Sequence, residues 1–383
     1  MMRYSQVCPV ILGEGIVKEL GSEAKKLGIT KAFVVTDEII AKGDGYKTCM
    51  SSLKDAGIET VEFTKCLPDP PSDVVHEASR IAKEAKVNGV VGIGGGSALD
   101  TAKGVNILFN NPEPVTQYFG APPQKPGYPL ICIPTAAGTG SEVTIPGVLT
   151  NSQTGAKGPA VFSPATLGIL DPTMTITAPP SITATTGMDA FAHAAESMVT
   201  IAENPKSDLL ACEAIKRITR SLPKAFDNGS DMDARTDMLI ASNFAGIAFN
   251  DGMVQLAHAI GHSVGAKFHI PHGIGCALGI PVTMTYSATV KPDKVKMIGE
   301  AMGLSFGVDE GGEQIGGKVS AACANLMKRV KIPSFKELGY SRDDLLGIVD
   351  LVMSDVAFNF MPSSVSKEEV LAYLGSAYDD YVT

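Results

Sequence analysis

"GVVGIGGGSALDTAK", residues 89–103, sets an apolar run against a cluster of glycines and then a helical pattern. The run Gly89–Gly94 reads as a buried strand, with a helix starting at about Ser97. A helix N-terminus carries unpaired N–H groups and the positive end of the helix dipole, so it attracts phosphate. Glycine lets the backbone come close to such a group. The stretch departs from the dinucleotide fingerprint G-x-G-x-x-G: after Gly92 and Gly94, Ser97 holds the third position, and the acidic residue expected about 20 positions later is not evident. A purely local reading is also open, because Ser97 and Asp100 have the spacing of a capping box. Three consecutive glycines directly after an apolar strand favour phosphate.

Working outward, "KAFVVTD" (31–37), "TVEF" (60–63) and "LICIP" (130–134) read as further strands, and the apolar positions between "DPPSD" and Asn88 follow a helical period. Strand and helix in alternation predict a parallel sheet wrapped by helices. Asp37 ends the strand "KAFVVTD", where a carboxylate can accept hydrogen bonds from a ribose diol and repel a 2′-phosphate, favouring NAD over NADP. The competing reading makes Asp37 the N-cap of a helix over "EII". "PTAAGTGSEVT" (134–144) follows another strand with small hydroxyl residues and glycines, suited either to a cofactor crevice or to a plain turn.

After about residue 180 the alternation stops. Longer helical patterns follow at roughly 207–226, 232–249, 252–265 and within 366–382, and Pro179 and Pro180 mark the boundary. The expected organisation is an α/β domain over residues 1–180 and an all-helical domain over 181–383.

Composition narrows the function classes. Net charge is −9, against a nucleic-acid footprint. Seven scattered cysteines without a CxxC read as reduced thiols of a cytosolic protein. The opening "MMRYSQVCPVILGEG" lacks a signal-peptide pattern, and no stretch reaches the roughly 18 uninterrupted apolar residues of a membrane span. The expectation is a cytoplasmic protein with no membrane or nucleic-acid partner.

"HAIGHSVGAKFHIPH" (258–272) holds four of the chain's six histidines. His258 and His262 share a helix face, but "HAIGH" lacks the glutamate of the HExxH protease motif. Upstream, "GMDAFAH" puts Asp189 and His193 on one face by the same spacing. A carboxylate with several imidazoles suits Fe2+ or Zn2+. Spacing alone leaves open which histidines take part.

Three segments, "GGGSALDTAK" (94–103), "TATTGMDAFAHAAES" (183–197) and "HAIGHSVGAKFHIPHG" (258–273), resemble the iron-activated (group III) alcohol dehydrogenases, which include lactaldehyde reductases and propanediol dehydrogenases. The resemblance extends through the flanks to "IPSFKELGYSRDDL" (332–345). It implies a dehydroquinate synthase-like fold, with a dinucleotide-binding α/β domain, an all-α metal domain and an active site in the cleft between them. By resemblance the metal ligands are Asp189, His193, His258 and His272, with Fe2+ ahead of Zn2+. His262 matches a non-ligand histidine near the nicotinamide, where it either relays protons or packs against the ring; His269 falls on a variable loop. The pyrophosphate falls to Gly95, Gly96 and Ser97, with Asp100 in the same frame. Thr135, Thr139 and Lys157 match cofactor contacts, Asp37 matches the residue that favours NAD, and Phe249 and Val254 line the substrate pocket. The implied activity is NAD(H)-dependent oxidation of a small alcohol or diol and reduction of its aldehyde, the substrate oxygen polarised by the metal, in a homodimer or larger homo-oligomer.

Two positions depart from the family pattern. "PDP" (68–70) replaces Pro-Asn-Pro, so Asp69 brings a charge near the cofactor, and "GIPVTM" (279–284) lacks the histidine of Pro-His-Val-Met. Two other readings remain: a metal-dependent, NAD-using lyase or cyclase of the same fold, for which Lys267 is the lone basic residue within 258–273, and a non-catalytic binding protein.

Overall fold

The computed structural model describes residues 8–123, 125–202 and 204–381. Its contacts divide the chain into two compact units. One runs to Ala136 and resumes over Gly140–Ala178; the other takes Ala137–Thr139 and the chain from Pro179 onward.

The first unit carries strands β1 (Val10–Leu12), β2 (Lys31–Val35), β3 (Glu59–Phe63), β4 (Gly89–Gly94), β5 (Leu130–Pro134), β6 (Pro146–Thr150), β7 (Lys157–Val161) and β8 (Leu167–Leu170). Six of them form a parallel sheet in the order β1-β8-β5-β4-β2-β3, while β6 and β7 pair as a separate antiparallel ribbon. β4 and β5 are buried along their whole length, which is why they read as unbroken apolar runs. The expected strands fall on β2, β3, β4 and β5. The other four escaped notice because β1 and β8 are only three and four residues long, and β6 and β7 contain glycine and proline. Helices α1 (Leu20–Lys26), α2 (Asp44–Asp55), α3 (Ser72–Glu84) and α4 (Gly96–Leu108) make the crossovers. Because β3 lies on one side of β2 and β4 on the other, the sheet has a topological switch point between β2 and β4. In open sheets of this kind, ligands bind at the strand ends beside that point.

The capping box of the competing local reading does not form in α4. Its N-cap is Gly95, and Asp100 turns inward, accepting from Ser141 Oγ at 2.6 Å and from Val148 N–H at 2.8 Å. Lys103 is fully buried and donates to Thr144 Oγ1 at 3.2 Å and to the Pro146 carbonyl at 2.9 Å. Burial pushes the Asp100 carboxyl up and the Lys103 ammonium down, and their 3.9 Å pairing opposes both shifts. The pair anchors the start of β6 to α4.

The second unit is helical: α5 (Pro180–Ser197), α6 (Pro205–Asp227), α7 (Met232–Gly252), α8 (Leu256–Phe268), α9 (His272–Val290), α10 (Pro292–Ala301) and α11 (Gly312–Arg329), then shorter helices and a final one at Lys367–Asp379. Pro180 occupies the first helical position of α5, where a missing N–H costs nothing. The helix expected over 252–265 starts later. Met253 takes φ 63 at the C-cap of α7 and breaks the chain before α8. α8 and α9 cross on small residues. A Cβ on Gly275 would stand 2.8 Å from Gly261 Cα, and one on Gly279 would stand 2.8 Å from Ala257 Cα. That close crossing brings the histidines of the two helices together.

Candidate functional site

Asp189 and His193 lie one turn apart on α5, His258 is in the first turn of α8, and His272 opens α9. His272 Nε2 is 3.4 Å and His258 Nε2 3.9 Å from Asp189 Oδ1, while His193 Nδ1 is 3.9 Å from Asp189 Oδ2. The His193 and His258 rings are 4.5 Å apart and those of His258 and His272 are 5.4 Å apart. Nitrogen and oxygen donors around a tetrahedral ion with bonds near 2.0–2.2 Å stand about 3.3–3.6 Å from one another, close to this spacing. Asp189, His193 and His258 are buried; His272 leaves 29% of its side chain exposed and forms the open side.

The donors themselves test whether a cation fits. His193 Nδ1 and His258 Nε2 are buried with no hydrogen-bond partner among the described residues. Such nitrogens are costly to bury unless something accepts their lone pairs. Burial lowers the proton affinity of both imidazoles, that of His258 strongly, with the neighbouring histidines adding to the effect. Neutral rings keep the lone pairs that a metal needs. The set fits a divalent cation.

Glu196, absent from the sequence-based expectations, proves central. It is fully buried at the end of α5 and accepts from Ala257 N–H at 2.6 Å and from His258 Nδ1 at 2.5 Å. One carboxylate therefore caps the N-terminus of α8 and holds His258 in the tautomer whose Nε2 faces Asp189. Burial pushes this carboxyl up to about 8, while backbone N–H groups of Ala257, Gln255 and His258 pull it down. Its only sequence signal is a charge seven residues after Asp189 in an otherwise apolar helix. Asp355 also went unnoticed. Its carboxylate meets His262 Nδ1 at 3.0 Å, and the His262 ring stacks on His272 at 5.3 Å. His269 caps the end of α8 in the left-handed region, φ 58, and is exposed.

Phe249 stacks on the His193 ring at 4.3 Å, and Val254 packs half-buried against the helical core. Thr139 is half-buried in the Ala137–Thr139 segment that belongs to the helical unit.

In the first unit, Asp37 and the glycine turn meet at the switch point: a Cβ on Gly94 would lie 3.9 Å from Asp37 Oδ2. Asp37 Oδ1 meanwhile accepts from the N–H groups of Ile39 and Ile40 in a local turn, but no helix starts on Glu38: the short 3-10 helix Ile40–Lys42 has Ile39 as its N-cap, so Asp37 is not a helix cap. A Cβ on Gly95 would meet nothing within 4 Å, which leaves the backbone open to a ligand at the start of α4. Gly96 and Ser97 open that helix, and its first turn carries no carboxylate. Thr135 N–H bonds the Gly94 carbonyl at 3.0 Å beside the same turn. Asp100, engaged with Ser141 and Val148, supports this region from beneath. Lys157 pairs with Asp69, so the extra carboxylate of "PDP" is matched by an ammonium.

Comparisons with known proteins bear on both units. A model described as iron-containing alcohol dehydrogenase matches residues 9–172, and one for the C-terminal part of the Fe-containing alcohol dehydrogenase family matches residues 183–378. The NAD-dependent methanol dehydrogenase of Bacillus methanolicus is 32% identical over 379 residues, 96% of this chain and 97% of that protein. The 1,3-propanediol dehydrogenase of Klebsiella pneumoniae is 32% identical over 376 residues, 96% of each. Among solved structures, a 1,3-propanediol oxidoreductase matches with TM-score 0.94 at 31% identity, covering 99% of this chain and 100% of that one. A sulfoacetaldehyde reductase from Bifidobacterium kashiwanohense in complex with NAD+ matches with TM-score 0.88 at 26% identity, covering 98% and 99%.

Proposed function

Because this chain belongs to the iron-containing alcohol dehydrogenase family, we propose that it runs in the cell from a small aldehyde to the corresponding alcohol or diol, with Fe2+ as the native metal. It is a metal-dependent, NAD-linked oxidoreductase. One observation carries the reading: a buried carboxylate and three imidazoles from three helices converge, with His193 Nδ1 and His258 Nε2 unsatisfied among the described residues.

When bound, the cation supplies Lewis-acid polarisation of the substrate oxygen, and NAD(H) supplies or takes the hydride. Asp189, His193, His258 and His272 would hold the cation. Glu196 keeps the His258 proton on Nδ1. Asp355 does the same for His262, which leaves His262 Nε2 free to hand a proton on or take one back. Gly95, Gly96 and Ser97 would cradle the pyrophosphate, with Thr135, Thr139 and Lys157 as further contacts. Asp37 Oδ2 would accept from the ribose and disfavour a 2′-phosphate. Phe249, stacked on His193, and Val254 offer an apolar wall to a short carbon chain. Relatives at the same 32% identity are named for methanol and for 1,3-propanediol, so overall likeness does not select the alcohol. We place the protein in the cytoplasm as a homo-oligomer; seven cysteines without a disulfide among them support a reducing compartment.

Anaerobic NADH oxidation by metal-analysed protein, over a panel of short aldehydes and hydroxyaldehydes with NADPH in parallel, tests the reading. Turnover that follows metal content and prefers NADH is expected. A filled metal site with no turnover on any of them would sink the reductase assignment, and preference for NADPH would remove the role given to Asp37.

A further inference from the structure

Asp69 follows β3 in the left-handed backbone region, φ 49, which aspartate and asparagine tolerate better than bulkier residues. Its segment is held by its neighbours. Lys65 bridges Asp37, and the Cys66 thiol is hydrogen-bonded with Thr101 of α4. Next, Thr150 N–H donates to the Pro70 carbonyl at 2.9 Å, and Pro71 bridges Thr150 in parallel. Thr150 is the register partner of Lys157 across the β6–β7 ribbon, and the Lys157 ammonium meets the Asp69 carboxylate.

The ribbon brings this pair to the glycine turn. β6 runs along α4 against the helix direction: the Pro146 carbonyl holds Lys103 and Val148 N–H holds Asp100, so Thr150 and Lys157 stand towards Gly96 and Ser97. Burial pushes the Asp100 carboxyl up, and Lys157 is among the charges opposing that shift. Lys157 leaves 20% of its side chain exposed and Asp69 leaves 64%, so the ammonium is held while the carboxylate meets solvent. An ammonium beside an open helix N-terminus attracts any phosphate, both the pyrophosphate common to the two dinucleotides and the 2′-phosphate of NADP(H) alone. Paired with Asp69, Lys157 presents almost no net charge. Asp37 adds a second carboxylate on the Gly94 side, and Lys65 is engaged by Glu77 at 3.1 Å. The balance there is negative.

We propose that Asp69 is a specificity-determining residue of the cofactor site, cancelling the Lys157 ammonium beside the glycine turn and so, together with Asp37, excluding the 2′-phosphate of NADP(H). This rests on the placing of the cofactor at that turn. The asparagine of the family pattern would leave the ammonium unmatched. The effect does not need a strong ion pair, since exposed pairs add little to folding. It needs only a fixed negative charge near a phosphate monoester that carries about −1.5 to −2 at neutral pH.

Calorimetric titration of the full chain with NADH and with NADPH, at low salt and at about 0.5 M salt, reads binding apart from turnover. The wild type is expected to bind NADH and to bind NADPH much more weakly. In Asp69→Asn, whose backbone suits the same φ, the affinity for NADPH relative to NADH should rise by about tenfold, and the gain should shrink at high salt. Asp69→Gly, which also accepts that φ, should shift the preference in the same direction. Combining Asp69→Asn with Lys157→Gln should abolish the gain, because the uncovered ammonium is gone. Far-ultraviolet circular dichroism confirms that each variant is folded. Wild-type preference in both Asp69 variants overturns the proposal and leaves the NAD-linked reading standing, and so does a gain that survives Lys157→Gln. A wild type that binds neither dinucleotide overturns the cofactor reading itself, and this inference with it.

Discussion

Glu196 meets two donors, Ala257 N–H and the Nδ1–H of His258, with one carboxylate. A glutamine has a single acceptor oxygen, and its amide N–H₂ would face whichever donor is left. Glu196→Gln should therefore keep the shape of the helical unit yet weaken metal binding by about 10–100-fold, the usual effect of losing the carboxylate behind a metal-bound histidine. Competition against a chromogenic chelator measures this, and an unchanged affinity would reduce Glu196 to a helix cap. Asp37 makes the opposite point about residues. Its Oδ1 accepts from Ile39 and Ile40 N–H in a local turn, while Oδ2 lies 3.9 Å from where a Cβ on Gly94 would stand. Sequence could place Asp37 at the end of the strand; only side-chain geometry shows which oxygen is engaged locally.

Among the elements, the α8–α9 crossing decides whether a site exists at all. Gly275→Ala places a methyl 2.8 Å from Gly261 Cα, against backbone that cannot rotate away. Overpacking of this kind costs about 1–3 kcal/mol, and it spreads the helices that carry His258 and His272. Both the unfolding temperature and the metal occupancy should fall. Gly317, exposed on α11 with nothing within 4 Å of a Cβ, is the matched contrast. There Gly317→Ala should stabilise by about 0.5–1 kcal/mol through helix propensity alone and leave occupancy unchanged. Equal losses in the two variants, read by thermal unfolding and elemental analysis, would contradict this account. The helices themselves were legible from their 3.6-residue period. The crossing was not, because glycines spaced along two helices look the same whether they face a partner or solvent.

For the whole molecule, the buried imidazoles tie folding to pH. Burial holds His193 and His258 below their ordinary value, whereas the unfolded chain protonates its histidines near pH 6.5. Below about pH 6.5 these two imidazoles bind more protons in the unfolded state than in the folded one, so their contribution to stability is full above that value and falls as the pH drops through it. Thermal unfolding of chelator-treated protein should show this slope, and His258→Asn should flatten it. A wild-type slope of opposite sign would mean that the imidazoles are charged in the fold. Protons and the cation compete for the same nitrogens, so bound metal should recede over the same range.

The sequence by itself determined the class of architecture, through the alternation of strands and helices up to residue 180 and the helical period beyond it. It also raised the glycine turn as a candidate phosphate site and, through family resemblance, Asp189, His193, His258 and His272 as candidate ligands. These features are local, carried by periodicity and by short motifs within single elements. Only the tertiary structure decided that Asp100 and Lys103 face inward to anchor β6 and that Glu196 and Asp355 stand behind His258 and His262. Those are contacts between residues tens of positions apart or across a helix crossing. Their geometry depends on which faces of the elements pack together, and that is settled by the summed burial of many side chains rather than by any one stretch of chain.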